Sequence, residues 1–280
     1  MISIQDFFAT EGHKGNFAIN LGDASLHLHI VKREAPTLVV FFSAAVNRTV
    51  AITPPFFSGS GIGAKLSASY MCISDPCLEL SSDLGLAWYA GADSLLLQHI
   101  IPDIIEKIAR DFKVDSVILA GASGGGFASM YYASRIKNGQ FFAVNPQTSI
   151  LRYSRAHVER YARVCLGWDE NSPLENCFSK IDYDLIPIYI NSTSTGGIYL
   201  QNATDDHVVK HARPFIEGIG GSNCVVDQTV NKVHYFERLW GAGHAALPAE
   251  HWITILTHMI DHPVEDYSAV IDASLGAPGE

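Results

Sequence analysis

The sequence predicts an α/β fold: a mostly parallel central sheet covered by helices, with a mainly helical cap insertion. Three observations lead there. Unbroken apolar runs recur along the chain, at Thr37–Phe42, Val117–Ala120 and Phe141–Val144, as expected of strands covered on both faces. Patterns at helical spacing separate these runs, and strands alternating with helices imply parallel pairing. No residue from Ser116 to Ser134 is charged, and a glycine-rich turn lies in the middle of that stretch.

Taken in order, Ser25–Lys32 alternates apolar and polar residues, as a half-buried strand does. Pro36 leads into the run Thr37–Phe42. Residues 43–63, rich in Pro, Gly and Ser, read as a long loop of the kind that usually serves function. Tyr70–Ile73 is a short strand ended by Asp75-Pro76. Leu95–Phe112 carries Leu97, Ile100, Ile101, Ile104, Ile105 and Ile108 at helical spacing, with Pro102 marking a start or a kink. Val117–Ala120 is a strand, Phe127–Arg135 a helix, and Phe141–Val144 a strand closed by Asn145-Pro146. Residues 149–187 then break the alternation with the cap insertion, whose clearest helix is Ala156–Leu166. Gly197–Gln201 and Lys232–Glu237 resume the strands, and Pro248–Ile260 is the last amphipathic helix. Residues 1–264 are expected as one domain, and 265–280 as a flexible tail.

The composition fits a large, filled core: of 280 residues 48% are hydrophobic and 17% charged. Nineteen Lys and Arg face 29 Asp and Glu, a formal charge of −10, with no basic cluster. That disfavours nucleic acid, whose binding rests on neutralised phosphates. The stretch Ser116–Ser134 is long enough to cross a bilayer, but its glycines would break an apolar helix, so no membrane span is expected. Met1-Ile-Ser-Ile-Gln-Asp6 lacks the basic start of a signal peptide, and the five cysteines lack CxxC spacing. A cytoplasmic protein with free thiols is the expectation.

The uncharged stretch contains Gly121-Ala122-Ser123-Gly124-Gly125, a G-x-S-x-G between a strand and a helix. That is the pattern of a nucleophile elbow. The turn is so tight that Cβ atoms at Gly121 and Gly125 would clash, and Ser123 is left with its hydroxyl clear beside a helix N-terminus. A glycine-rich phosphate loop is the competing reading, but the lysine of G-x-x-x-x-G-K-[ST] is missing.

A serine nucleophile needs a base, and the base needs an orienting acid. His244, in Trp240-Gly-Ala-Gly-His after the strand 232–237, is the candidate base. Asp205, just past the strand 197–201, is the candidate acid, with Asp206 as the alternative and otherwise a helix cap. Asp205, His207 and His211 also have metal-ligand spacing, but no HExxH glutamate accompanies them, so no metal is expected. The oxyanion would be held by the N–H groups of Gly124 and Ala44, with Ala45 as second choice for the latter. Arg48, with Asn47, is a candidate for an anionic part of the substrate. Trp88, Tyr89, Tyr153 and Trp168 are candidates for stacking on a glycan.

Elbow Ser123, post-strand Asp205 and loop His244, in that order, resemble the α/β-hydrolase superfamily. Asp75-Pro76, Leu86-Ala-Trp88-Tyr89-Ala-Gly91, the elbow and Asn145-Pro-Gln147-x3-Leu151-x-Tyr153 look like bacterial proteins of capsular and surface polysaccharide biosynthesis, including capsule O-acetyltransferases. The resemblance implies a serine esterase or O-acyltransferase working through an acyl-enzyme on a small-molecule ester or glycan. It implies no cofactor beyond an acyl donor such as acetyl-CoA if the acyl group is transferred. A non-catalytic partner in polysaccharide assembly and a serine peptidase are the other functions that this pattern allows, and the oligomeric state is left open.

Overall fold

The computed structural model describes residues 1–48, 53–190, 192, 194–262 and 266–278. Among them one sheet holds β1 (Ile2–Ser3), β2 (Gly15–Asn20), β3 (Ser25–Val31), β4 (Thr37–Phe42), β5 (Ser69–Ser74), β6 (Ser116–Ala122), β7 (Gly139–Val144), β8 (Gly196–Asn202), β9 (Gln228–Val230) and β10 (Val233–Arg238). Their order across the sheet is β1-β2-β3-β5-β4-β6-β7-β8-β10-β9. From β5 through β4, β6, β7 and β8 to β10 every pair is parallel, while β3 pairs antiparallel with both β2 and β5, β9 antiparallel with β10, and β1 parallel with β2. The expected α/β architecture with a mostly parallel sheet is what the chain adopts.

The continuous apolar runs reflect two cores, one on each face. Successive side chains of a strand point to opposite faces. Leu38, Val40 and Phe42 of β4 accordingly join one cluster, and Val39 and Phe41 the other. The first face is covered by the helices Leu97–Phe112 and Gly124–Ala133, the second by Ala249–Asp261. Pro102 does not open its helix: the helix starts at Leu97, and the proline lies inside it. The helix after β6 begins at Gly124, three residues before the expected Phe127, because the turn leads straight into it. All ten residues of Gly124–Ala133 are buried, so the uncharged stretch is internal. Among the described residues no helix is long and apolar enough to cross a membrane.

Between β7 and β8 the chain forms the helix Arg155–Cys165 and several shorter helical turns. Tyr161 Oη donates to Gly91 O at 2.8 Å and Asp93 N to Cys165 O at 2.8 Å, so this stretch packs on residues 88–95. At the C-terminus the structure departs from a tail without periodicity: Ser268–Leu275 is a helix. Tyr267 and Ile271 are buried, and Arg238, only 2% exposed, donates to Asp272 Oδ1 at 2.5 Å and Gly276 O at 2.8 Å. Eight residues with one buried anchor, Ile271, are too few to show as a periodic pattern. Residues 265, 279 and 280 of the expected tail lie outside the described residues.

Candidate active site

Ser123 occupies the junction of β6 and the helix Gly124–Ala133 with φ 55° and ψ −118°. A non-glycine residue at positive φ costs about 1–3 kcal/mol and persists only where its surroundings over-determine it. Here they do. Ser123 N donates to Val144 O at 3.0 Å, and Ser123 O accepts from Phe127 N and Gln147 N, each at 3.1 Å. The glycines behave as the pattern demands: a Cβ on Gly121 would stand 2.2 Å from Gly125 O, and one on Gly125 2.5 Å from Phe42 O. Both obstacles are backbone, so neither can yield.

The Ser123 side chain is held by a residue that the motif does not contain. Gln147, fully buried, donates from Nε2 to Ser123 Oγ at 3.0 Å, and its Oε1 accepts from Trp88 Nε1. An indole N–H can only donate, which fixes the orientation of the amide. The serine oxygen is thereby an acceptor, and its own proton is free to be given to a base. Trp88 and Tyr89 both have φ 55°. Tyr89 is locked by Asp75 Oδ2 on its N–H at 2.7 Å, Ile73 O on its hydroxyl at 2.8 Å and Tyr132 Oη on its carbonyl at 2.6 Å. Burial pushes the Asp75 carboxyl up to about 6 despite these N–H donors.

The candidate acid and base meet. His244 Nδ1 lies 2.5 Å from Asp205 Oδ2; the aspartate side chain is fully shielded and the histidine side chain 43% exposed. Burial raises the Asp205 carboxyl, but the hydrogen bonds from His244 and from His207 N–H, with the adjacent imidazoles, outweigh it and hold the group at about 2. Asp206, the alternative acid, points to solvent and pairs with Lys210 one turn on. It caps the following helix with neither carboxylate oxygen, since it is Asp205 Oδ1 that accepts His207 N–H. Asp205, Ser123 and His244 thus stand past the C-terminal ends of β8, β6 and β10. The Ser123 hydroxyl is bonded to Gln147 rather than to His244.

Asn145 and Asn202 complete the frame. Asn202 Nδ2 donates to Gly241 O and Gly243 O at 2.9 and 2.6 Å, and Asn145 Nδ2 to Ala245 O at 3.2 Å, tying down both sides of His244. Asn145 O accepts from His207 Nδ1 at 3.0 Å, and the His207 ring lies 4.4 Å from that of His244.

The oxyanion candidates flank this frame. Gly124 opens its helix, so its N–H has no intrahelical acceptor. Ala44 sits between Ser43, whose N–H donates to Tyr89 Oη at 2.7 Å, and Val46, whose N–H donates to Gly85 O at 2.8 Å. Leu86 covers Gly124, leaving 2.4 Å to a Cβ built there. Tyr153 is half-buried with its ring 5.9 Å from His207 and 6.0 Å from Trp88.

The stacking role expected of Trp88 and Tyr89 does not survive: they are 1% and 2% exposed, and their polar atoms serve the scaffold. Trp168 lies under the Arg163 guanidinium and donates to Ser172 O at 2.9 Å. As for a metal, Asp205, His207 and His244 offer ligand atoms within 4.8 Å of one another. Asp205 and His244 already bond each other, while His207 Nδ1 is directed at Asn145 O, which leaves Nε2 as its ligand atom. His211, weighed as a ligand, is buried with Nδ1 accepting from Thr148 N at 3.3 Å, and burial lowers its pKa to about 3.

Gln147, Asn145 and Asn202 are the residues of this candidate site that the sequence does not single out for it. Asn145 and Gln147 did stand in the Asn-Pro-Gln motif, and Asn202 in Asn202-x-x-Asp205, but an amide's partner is set by a fold that spacing does not reveal.

No family model and no curated protein matches the chain by sequence. Solved structures match by fold. The capsule O-acetyltransferase of Neisseria meningitidis serogroup A superimposes with a TM-score of 0.67 at 12% identity, covering 92% of this chain and 99% of that one. A Glycosylation Associate Protein complex from Streptococcus agalactiae gives 0.60 at 16% identity over 94% of this chain and 47% of that one. An S-formylglutathione hydrolase from Agrobacterium tumefaciens gives 0.51 at 15% identity over 90% and 95%. The fold is that of the α/β-hydrolases, with a capsule O-acetyltransferase among its structural neighbours.

Proposed function

We propose that the protein is a serine enzyme that forms an acyl-enzyme and passes the acyl group to water or to a sugar hydroxyl. The observation that carries the reading is the 2.5 Å pair of His244 Nδ1 and Asp205 Oδ2, at the same C-terminal end of the strands as a strained, buried serine elbow. Ser123 Oγ attacks the carbonyl carbon of an ester or thioester, and His244 Nε2 takes the hydroxyl proton as the C–O bond forms. Asp205, ionised down to about 2, stabilises the imidazolium through Nδ1. The carbonyl oxygen becomes an oxyanion received by the N–H groups of Gly124 and Ala44. The leaving alcohol or thiol departs with the proton from His244, and the acceptor hydroxyl repeats the sequence in reverse. Gln147 keeps Oγ aimed throughout. For this chemistry His244 moves toward Oγ, a shift its exposed side chain permits.

The capsule O-acetyltransferase likeness supports a glycan acceptor and acetyl-CoA as donor, with substrates bound as a small molecule and a sugar surface. Labelling with a fluorophosphonate probe tests the nucleophile: wild type should label and Ser123→Ala should not. Equal labelling of both, or none of wild type, sinks the reading. Turnover of acetyl-CoA that rises on adding a polysaccharide acceptor separates transfer from hydrolysis.

A further inference from the structure

We infer that the cleft beside the loop after β4 is a binding site for a phosphate or phosphodiester group, held by Arg48, His157 and Arg160. Its role in the reaction rests on the serine-enzyme reading above; the anion site itself does not. The cleft has a volume of about 620 Å³ and is lined by Ala45, Arg48, Asp83, Gly85, His157 and Arg160, among others. Two guanidinium groups and an imidazole therefore share a space with one carboxylate, in a chain of net charge −10. Among the described residues neither arginine pairs with a carboxylate: Arg48 Nε donates to Ser82 O at 3.0 Å, and Arg160 Nη1 to Asp83 O at 3.2 Å.

Among the described residues, two nitrogens of this lining are shut off from solvent with no hydrogen-bond partner, Arg48 Nη1 and His157 Nδ1. A guanidinium cannot shed a proton to escape an unmet N–H, so such a donor calls for an acceptor from outside. Burial, and then the Arg160 charge, also hold the His157 imidazole below its usual pKa, a condition that a bound anion relieves. Arginine forks match phosphate oxygens in pairs, which a surface lysine does not.

The cleft adjoins the chemistry. Ala45 follows the oxyanion candidate Ala44, and Gly85 precedes Leu86, which rests on Gly124. His157 is in ring contact with Tyr153 at 5.4 Å, and Tyr153 with His207 at 5.9 Å. A phosphate held there stands a short reach from the carbonyl on Ser123. Two substrates carry that chemistry: a nucleotide-linked acyl donor such as acetyl-CoA, and a phosphodiester-linked glycan acceptor.

Calorimetric titration of the full chain with inorganic pyrophosphate tests the site. Wild type should bind, with affinity falling between 50 and 200 mM NaCl, and Arg48→Gln and Arg160→Gln should each weaken it tenfold or more. Arg160 is exposed, so its variant reads out even if Arg48→Gln misfolds. Absence of binding, or equal binding by both variants, overturns the site. Displacement of pyrophosphate by coenzyme A places the donor in the cleft, and displacement by a phosphodiester-linked oligosaccharide places the acceptor there. Displacement by neither overturns the link to substrate. Fluorophosphonate labelling of wild type is scored apart: pyrophosphate binding without labelling sinks the nucleophile and keeps the anion site, and labelling without binding does the converse.

Discussion

Ser123 is 4% exposed where β6, β7 and a wholly buried helix converge, whereas the His244 side chain is 43% exposed on a loop with glycines at 241 and 243. The two regions are held by different forces. Around the serine, backbone packs on backbone at distances that admit no Cβ, and the strained turn is fixed by Val144, Gln147 and the core. Around the histidine, the ties are single hydrogen bonds from Asn202, Thr204 and Asn145 to loop carbonyls. The proposed nucleophile is therefore set when the chain folds, and the proposed base is set by contacts that can be lost one at a time. That contrast accounts for a hydroxyl bonded to Gln147 while the Asp205–His244 pair is already made: the remaining step belongs to the looser region.

The severest way to break the comparison is to crowd the tight side. Gly125→Ala puts a methyl 2.5 Å from Phe42 O and 2.8 Å from Ser43 O. We expect loss of soluble protein, or a melting temperature lower by roughly 10 °C or more together with loss of fluorophosphonate labelling, since overpacking against backbone costs several kcal/mol. Gly243→Ala, on the loose side at φ 63° with no heavy atom within 4 Å of its Cβ, should cost far less in melting temperature. Equal losses would show that the two regions do not differ in rigidity.

On the base, Asp205→Asn should lower kcat by about 10³–10⁴-fold, because the amide cannot stabilise the imidazolium or hold its tautomer. Asp206→Asn removes an exposed pair with Lys210 and should change kcat less than threefold. Steady-state hydrolysis of p-nitrophenyl acetate compares the two, and the reverse order would move the acid one residue along.

A smaller effect is expected at Gln147, where Glu can still accept from Trp88 but offers Ser123 an acceptor in place of a donor. Gln147→Glu should slow acylation about 10–100-fold, read as a reduced pre-steady-state burst, with the melting temperature within a few degrees of wild type. Retained burst kinetics would strip Gln147 of its positioning role and leave it as core.

Much of this was legible beforehand, and what was not has physical causes. The parallel strands announced themselves because burial on both faces forces continuous apolar runs such as Thr37-Leu-Val-Val-Phe-Phe42. The elbow was legible because only small residues fit its turn. β1 and β2 were not, since Gly15-Asn-Phe-Ala-Ile-Asn20 is largely exposed and buries little but Ile19. Trp88 and Tyr89 misled because an aromatic reads alike whether it stacks on sugar or fills a core; their positive φ values and buried partners belong to tertiary structure alone. Asn145, Gln147 and Asn202 reach Ala245, Ser123 and Gly241 through amides, partners that lie 24 to 100 residues away.

The gentlest probe of the contrast is acidity, since a buried histidine stands behind the loose side and a buried carboxyl behind the tight one. His211 falls to about 3 on folding, from an ordinary 6.5, so between these values the unfolded chain binds more protons and stability drops as pH falls. Asp75 rises from 3.8 to about 6, so between those values the folded chain binds more protons and stability grows as pH falls. The two slopes oppose each other across the shared window from 3.8 to 6, on top of the fall in stability toward acid that the lowered His157, His207 and His234 add. His211→Gln removes the first slope, so its melting temperature should fall less than that of wild type as pH is lowered from 6 to 4, the two differing by a few degrees at most. Scanning calorimetry of both proteins across that range reads the difference, and parallel pH profiles would mean that His211 is not held neutral by the fold.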